Sequence, residues 1–122
     1  MIPTLPPSVN SLYNVLFSMR RVELKPEVRL WKTQAKEYIP TLRVKESAHI
    51  SFNAWFEGAW RHGNGKLKKR DVQNMTKCLI DCVAEKVGFD DSQVWAASSY
   101  KVEAEKEQVR VELIEFMAQV SR

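Results

Sequence analysis

Apolar and polar residues alternate along residues 48–60, and this alternation predicts a β-strand with one buried face. One side of the strand carries Ile50, Phe52, Ala54 and Phe56, and the other carries Ser51, Asn53, Trp55 and Glu57. Two further strands are predicted near residues 93–103 and 107–117, and the second of these alternates in the same way. Residues 14–24 predict a short strand or hairpin.

Two helices are predicted from apolar residues spaced three and four apart. The first begins at Pro26, which suits the first turn of a helix, and runs to about residue 39, where Pro40 stops it. The second covers about residues 71–87, with Asp71 as its N-cap and Gly88 after its last turn. Its apolar stripe is Val72, Met75, Leu79, Val83 and Val87, and its opposite face is predicted to show Asn74, Lys77, Cys78 and Asp81.

The predicted order is therefore strand or hairpin, helix, strand, helix, strand, strand. This order predicts an α+β fold in which a mixed sheet is packed by two helices. A length of 122 residues suits one such domain, so residues 1–122 are interpreted as a single domain. An apolar share of 44% and a charged share of 28% argue against a disordered chain.

Charge is unevenly distributed along the chain. Residues 1–45 carry eight Lys or Arg against three Glu, and residues 61–70 carry five Lys or Arg with no acid. From Asp71 onward, ten acids outnumber six bases. A metal-using enzyme of nucleic acids needs both cations for the phosphates and carboxylates for the metal. A lysine-rich loop is equally compatible with a merely solvated loop.

Two cysteines, Cys78 and Cys82, lie four residues apart in the second predicted helix. That arrangement does not suit a disulfide and forms no zinc motif, so a reducing, cytoplasmic location is expected. The first ten residues lack the pattern of a signal peptide, and no apolar stretch approaches the length of a membrane span. No membrane partner is therefore expected.

Acidic residues between Asp71 and Asp91 suit a magnesium site, because magnesium takes oxygen ligands and keeps several waters. Lys77 shares a helix face with Asp81 and is placed to hold a phosphate. Asp71 and Asp91 flank opposite ends of a helix that is roughly 25 Å long. The sequence leaves open how these two acids converge.

A structural interpretation of the same residues stays open. Asp71 then serves only as an N-cap, Asp90 only as a turn residue, and Lys77 and Asp81 only as an exposed ion pair one helical turn apart. His49 and His62 are interpreted as ordinary polar residues, because no nucleophile motif accompanies them. The tryptophans suit either base stacking or packing in a core or dimer; they are Trp31, Trp55, Trp60 and Trp95.

Three segments together resemble the RusA family of Holliday junction resolvases. LPPSVNSLY, residues 5–13, resembles the proline-rich opening of the family. The basic run followed by RD-x-x-N-x-x-K-x-x-x-D resembles the central signature, with Arg70, Asp71, Asn74, Lys77 and Asp81 at the matching positions. GFDDSQV, residues 88–94, resembles the second acidic signature. The segments occur in the family's order over most of the chain.

The resemblance implies a homodimeric, magnesium-dependent endodeoxyribonuclease, with manganese as a substitute metal. Its substrate would be branched DNA, above all the four-way junctions of recombination and repair, cut by paired symmetric nicks. It also implies an intracellular protein encoded by a bacterium or a phage.

The family's site residues map onto numbered positions of this chain. The resemblance implies Asp71, Lys77 and Asp91 as catalytic residues. It implies metal ligands among Asp71, Asp91, Asp90 and Gln73. Contacts to DNA are expected from Arg61, Lys66, Lys68, Lys69, Arg70 and Asn74, chiefly to phosphates.

Gln73 departs from the family pattern, which commonly has a second aspartate at this position. Glutamine offers a neutral carbonyl oxygen and no charge. Either the site binds metal more weakly, or Asp90 or Asp81 compensates, or the protein binds junctions without cutting them well. A non-catalytic junction-binding protein is therefore the main alternative. An RNA-binding module that uses the aromatic strand 48–60 is the third hypothesis.

Overall fold

The computed structural model describes residues 1–7, 13–16 and 21–116. Its elements are β1 (Tyr13–Leu16), β2 (Arg21–Leu24), α1 (Pro26–Lys36), β3 (His49–Gly58), α2 (Val72–Val87), β4 (Val94–Glu103) and β5 (Gln108–Phe116). A single turn of 3-10 helix, Asp91–Gln93, precedes β4. The predicted order of elements is confirmed. Residues 8–12, in the proline-rich opening, lie outside the described residues, as do residues 17–20 of the predicted hairpin and residue 117 of the last predicted strand.

The main sheet has three strands in the order β4–β3–β5. β3 pairs with β4 in parallel and with β5 in antiparallel orientation, so the sheet is mixed, as predicted. β1 and β2 form a separate antiparallel pair. Parallel neighbours need a long crossover connection, and here α2 lies within the crossover from β3 to β4. That connection places α2 beside β4 over much of its length, which creates the site described below.

One face of β3 forms the centre of the core. Ile50, Phe52, Ala54 and Phe56 are buried, in agreement with the predicted alternation. Apolar residues from both helices complete the cluster; among them are Val28, Trp31, Ala35, Met75, Leu79 and Val83. The small α+β domain is therefore built as a sheet covered on one face by two helices.

α1 is shorter than predicted. It ends at Lys36, whereas the sequence predicts a helix to about residue 39. The amides of Tyr38 and Ile39 donate to carbonyl oxygens three residues back, at 2.9 and 3.3 Å, so the chain tightens into turns after Lys36. Pro40 has no amide hydrogen to donate to the carbonyl oxygen of Lys36, so no α-helical hydrogen bond closes the chain at that point.

α2 begins and ends as predicted. The Asp71 carboxylate accepts hydrogen bonds from the amides of Gln73 and Asn74 at 2.8 and 3.4 Å. Gly88 closes the helix with a positive φ of 89°, a conformation that glycine adopts without strain, and its amide donates to the carbonyl of Ala84.

The placement of Cys78 on the exposed face of α2 is wrong. Cys78 is fully buried, because it lies three residues after Met75 and four before Cys82, within the apolar stripe. Burial raises the pKa of Cys78 to about 12 and that of Cys82 to about 11. Both thiols are free and stay protonated at neutral pH, so they act as packing residues rather than nucleophiles.

An ion pair buried at one end joins the two helices. The Lys32 ammonium lies 2.7 Å from Glu85, and its side chain is only 5% exposed. Lys36 lies 2.7 Å from the other oxygen of the same carboxylate. Burial alone would lower the pKa of Lys32, but the hydrogen bond and charge of Glu85 outweigh it and raise that pKa. The Glu85 pKa is lowered, because hydrogen bonds from both lysines outweigh its partial burial.

Glu85→Gln is expected to lower the free energy of unfolding by about 1–2 kcal/mol, since it leaves the buried Lys32 ammonium without its counter-charge while Glu85 itself is half exposed. Folding lowers the pKa of Glu85, so the ion pair stabilises the protein fully at pH values above the ordinary pKa of a glutamate. This stabilisation is lost as the pH falls through the lowered pKa of the folded state. Urea melts of both proteins at neutral and acidic pH check this. If the difference in free energy of unfolding between the two proteins does not shrink on acidification, Glu85 is not the stabilising partner of Lys32.

Among the described residues, no helix combines the length and the apolar character that a membrane crossing requires.

Candidate active site

A cleft of about 590 Å³ runs between α2 and β4. Residues Val72, Gln73, Thr76, Lys77, Ile80 and Asp81 line it from the helix, and Asp91, Val94, Ala97 and Ser99 line it from the 3-10 turn and the strand. Ala97 and Ser99 face the helix because they are paired beside Phe52 and Ala54 of the core face. Their small side chains leave the space that larger residues would fill.

Hydroxyl groups fix the helix to the strand within this cleft. The Thr76 hydroxyl oxygen lies 2.6 Å from the carbonyl oxygen of Val72 and 2.7 Å from the hydroxyl oxygen of Ser99. This contact joins α2 directly to β4 and so fixes the helix against the strand that forms the other wall of the cleft. Sequence reasoning did not identify either residue, since an isolated Thr and Ser carry no motif.

Two carboxylates meet at one end of the cleft. Asp81, from the middle of α2, and Asp91, from the 3-10 turn, both line the cleft and both also line an adjoining depression of about 260 Å³. Glu85 and Asp90 line the outer part of that depression. The sequence leaves open how Asp71 and Asp91 converge; the structure places Asp81, and not Asp71, beside Asp91.

The environment of Asp81 disfavours its charged form. Burial raises the pKa of this carboxyl group, and the charges of Glu85 and Asp91 raise it further, while the nearby charges of Lys32 and Lys77 lower it. The net shift is upward. A cation that reached the Asp81–Asp91 end of the cleft would therefore relieve repulsion between like charges.

Asp71 does not line the cleft. Its carboxylate caps α2, and ten residues of helix, or about 15 Å, separate it from Asp81. The structure therefore places Lys77, Gln73 and Asp91 around one cleft and Asp71 beyond its other end. The catalytic and metal-binding roles of Asp71 stay predictions.

Asp90 caps the 3-10 turn. Its carboxylate accepts the amide of Ser92 at 2.9 Å, while Gln93 bonds back to the Asp90 amide. Hydrogen bonds from the backbone and side chain of Ser92 lower the pKa of Asp90. This capping box holds Asp91 at the mouth of the cleft. The metal-binding role of Asp90 stays a prediction.

A basic loop, residues 61–70, leads directly into the cleft end of α2. Residues 61 and 67 pair across it, and Gly65, with a φ of 83°, makes its turn. The Lys68 amide donates to the carbonyl of the buried Trp60 at 2.8 Å, which anchors the loop to the core. Lys66 and Lys69 are exposed, as is Arg61, although the Arg61 guanidinium donates to the Gly65 carbonyl.

Arg70 differs from the other predicted DNA contacts. Its guanidinium donates to the carbonyl of Pro6 at 2.8 Å, lies 3.6 Å from Glu107 and stacks over the Trp60 ring at 5.9 Å. These contacts give it a structural role in holding the N-terminal segment. Lys68 and Asn74 are half-buried. The exposed cations of the loop are therefore better placed for phosphates than Arg70.

The tryptophans have different environments. Trp31 and Trp60 are buried in the core. Trp55 lies on the open face of the sheet, where the Arg110 guanidinium stacks 5.2 Å from its ring centroid. Trp95 is 61% exposed and stacks on His49 at 3.6 Å. The aromatic residues of strand 48–60 are thus divided between the core and the open face, rather than forming one stacking surface.

The donor set suits a hard cation that keeps water ligands. Within the described part of the chain, no three His, Cys, Asp or Glu side chains converge closely enough to hold a metal by themselves. The cleft offers the carboxylates of Asp81 and Asp91 at one end and, toward the other end, the neutral amide oxygen of Gln73. Magnesium commonly binds through one or two carboxylates and several waters, so these residues fit it, whereas zinc would require a fuller set of protein ligands.

Comparison with known families identifies the chain. Residues 6–114 match the family described as Endodeoxyribonuclease RusA, which is nearly the whole chain. No curated protein matched it. The matched segment contains the basic loop, α2, the 3-10 turn and the cleft between α2 and β4. The chain therefore belongs to the RusA family of endodeoxyribonucleases, enzymes that resolve Holliday junctions.

Proposed function

We propose that this protein is a magnesium-dependent nuclease that resolves four-way DNA junctions by paired symmetric nicks in recombination and repair. The observation that carries the proposal is the cleft between α2 and β4, which combines Lys77 and Asp91 and whose helix side begins at Val72, directly after the basic loop in the chain. Exposed cations for the DNA backbone therefore precede one end of the cleft, and carboxylates for a metal line its other end; phosphodiester cleavage requires both kinds of group.

The residues of the cleft have separate tasks in this proposal. Asp91 would hold magnesium through a carboxylate oxygen, and Gln73, toward the other end of the cleft, would lie on the side of the substrate. Bound magnesium would supply an activated water and neutralise charge on the leaving oxygen. Lys77, exposed at the cleft, would hold a non-bridging oxygen of the scissile phosphate and stabilise its growing negative charge. Lys66 and Lys69 would contact flanking phosphates and position the strand.

A homodimer follows from the symmetry of the substrate. A four-way junction is roughly two-fold symmetric, and two opposed nicks need two sites related by the same axis. Asp71, beyond the end of the cleft of its own chain, would also then lie near DNA bound by the pair. Light scattering of the purified protein is expected to give twice the 14.2 kDa mass of the chain.

A cleavage assay tests the proposal. A labelled synthetic four-way junction and a linear duplex of the same sequence are incubated with the protein in magnesium, in manganese and in chelator. We expect the junction alone to be cut, and only when metal is present. Equal cutting of the duplex, or cutting in chelator, would refute the proposed activity.

Gln73 favours one second candidate, a junction-binding protein with little or no nuclease activity. Its neutral amide lies in the cleft, where the family commonly has a charged ligand. Under this alternative, junctions bind tightly with a strong salt dependence but stay intact in either metal. Gln73→Asp would then create activity. If the wild-type protein already cuts, the alternative is refuted.

A further inference from the structure

We infer that Asp81 is a metal ligand in this chain and supplies, together with Asp91, the negative charge that is missing at Gln73. This inference rests on the proposed function, because it concerns the metal which that function requires. It assigns a role to the last acid of the RD-x-x-N-x-x-K-x-x-x-D signature, which is not among the catalytic residues that the resemblance implies.

The position of Asp81 is the first support. Asp81 and Asp91 both line the boundary between the main cleft and the smaller depression beside it, whereas Asp71 lines neither. Their elements are independent, since one is a helix and the other a 3-10 turn fixed by its own capping box. Two carboxylates from separate elements thus line one opening, as a shared cation requires.

The second support is that no nearby cation is paired with Asp81. Lys32 is committed to Glu85 at 2.7 Å. Lys77, one helical turn before Asp81, forms no ion pair with it among the described residues. The Lys77–Asp81 ion pair of the structural interpretation is therefore absent among the described residues: Asp81 keeps its oxygens available, and Lys77 keeps its ammonium available for a phosphate.

The third support comes from Gln73. Gln73 and Asp81 line the same cleft from the same helix, eight residues or about 12 Å apart along its axis. Asp81 therefore does not replace the family's second aspartate in place. It moves the acidic centre of the cleft toward Asp91, so that Gln73 lies on the side of the substrate and the two aspartates on the side of the metal.

Metal binding without DNA tests the inference. The wild-type protein, Asp81→Asn and the matched control Glu105→Gln are titrated with manganese by calorimetry and by electron paramagnetic resonance. Glu105 is exposed in the connection from β4 to β5 and loses the same charge far from the cleft. We expect Asp81→Asn to weaken manganese binding about tenfold or more. Mutation of a residue that only hydrogen-bonds to a metal ligand already lowers metal affinity by about 10–100-fold. Glu105→Gln should bind as the wild type does.

Thermal melts separate a lost ligand from a damaged fold. Without metal, Asp81→Asn should melt at or above the wild-type temperature, because partial burial disfavours the charged form of the Asp81 carboxyl group, as does the charge of Glu85. With saturating manganese, the wild type should gain stability and Asp81→Asn should not. Wild-type manganese affinity in a folded Asp81→Asn would overturn the inference, even if the wild type cuts junctions. A wild type that binds manganese through Asp81 but cuts nothing would overturn the proposed function instead.

Discussion

Asp91→Asn is expected to lower the rate of junction cleavage by about 100-fold or more while junction affinity changes little. Because Asp91 is the proposed metal ligand, its loss is expected to remove about 3 kcal/mol or more of transition-state stabilisation, and each 1.36 kcal/mol corresponds to about tenfold in rate. Asp91 is exposed at the mouth of the cleft, so the change should not disturb the core. Single-turnover cleavage and gel-shift affinity in chelator measure the two effects separately.

Asp71→Asn is the informative companion to that variant. Asparagine caps a helix about as well as aspartate, so the amides of Gln73 and Asn74 keep their partner while the negative charge is lost. A fully active Asp71→Asn with an inactive Asp91→Asn would limit Asp71 to capping. Loss of cleavage in both would give Asp71 a chemical role, although it lies outside the cleft of its own chain. Full activity of Asp91→Asn would refute its catalytic assignment.

Removal of two loop lysines is expected to weaken junction binding more than any other pair of surface changes. Lys66→Ala with Lys69→Ala should lower affinity about tenfold or more near 0.1 M salt, because each phosphate contact releases counterions. The slope of log affinity against log salt should fall by about 2. Fluorescence anisotropy of a labelled junction across a salt series in chelator gives both quantities.

The matched control for the loop removes two exposed lysines elsewhere. Lys86 lies in the last turn of α2, and Lys106 lies between β4 and β5. Lys86→Ala with Lys106→Ala lowers the net charge equally, so any loss common to both pairs reflects overall charge rather than contact. An equal drop in affinity and slope for the two pairs would contradict the assignment of the loop to the DNA backbone.

The sequence predicts the elements of this fold well where the pattern is local. The alternation of Ile50, Phe52, Ala54 and Phe56 requires only that one face of a strand be buried, and the structure buries it. Asp71 and Gly88 mark the ends of α2 because capping depends on adjacent backbone groups. Cys78 was misplaced because helical periodicity fixes a face only to within about one residue, and cysteine is compatible with either side.

The candidate site could be predicted only in part, because it depends on contacts between distant segments. The resemblance implies Asp71, Lys77 and Asp91 as the catalytic set, but the grouping of Lys77 with Asp81 and Asp91 depends on the position of β4, whose parallel register with β3 pairs Ile50 with Val94. No local pattern encodes that register. The contact between Thr76 and Ser99 depends on it too. The hydrogen bond from Arg70 to Pro6 and its ion pair with Glu107 likewise join residues that are far apart in the sequence.

Mapping of the cut sites on a four-way junction is the decisive experiment for the proposed nuclease. Each strand of the junction is labelled in turn, and the wild-type protein is incubated with it in magnesium. We expect nicks at symmetric positions on two opposed strands, with products that a ligase seals into linear duplexes, and no nicks in Asp91→Asn. A junction that is bound but left intact in magnesium and in manganese would refute the proposal that this protein resolves junctions.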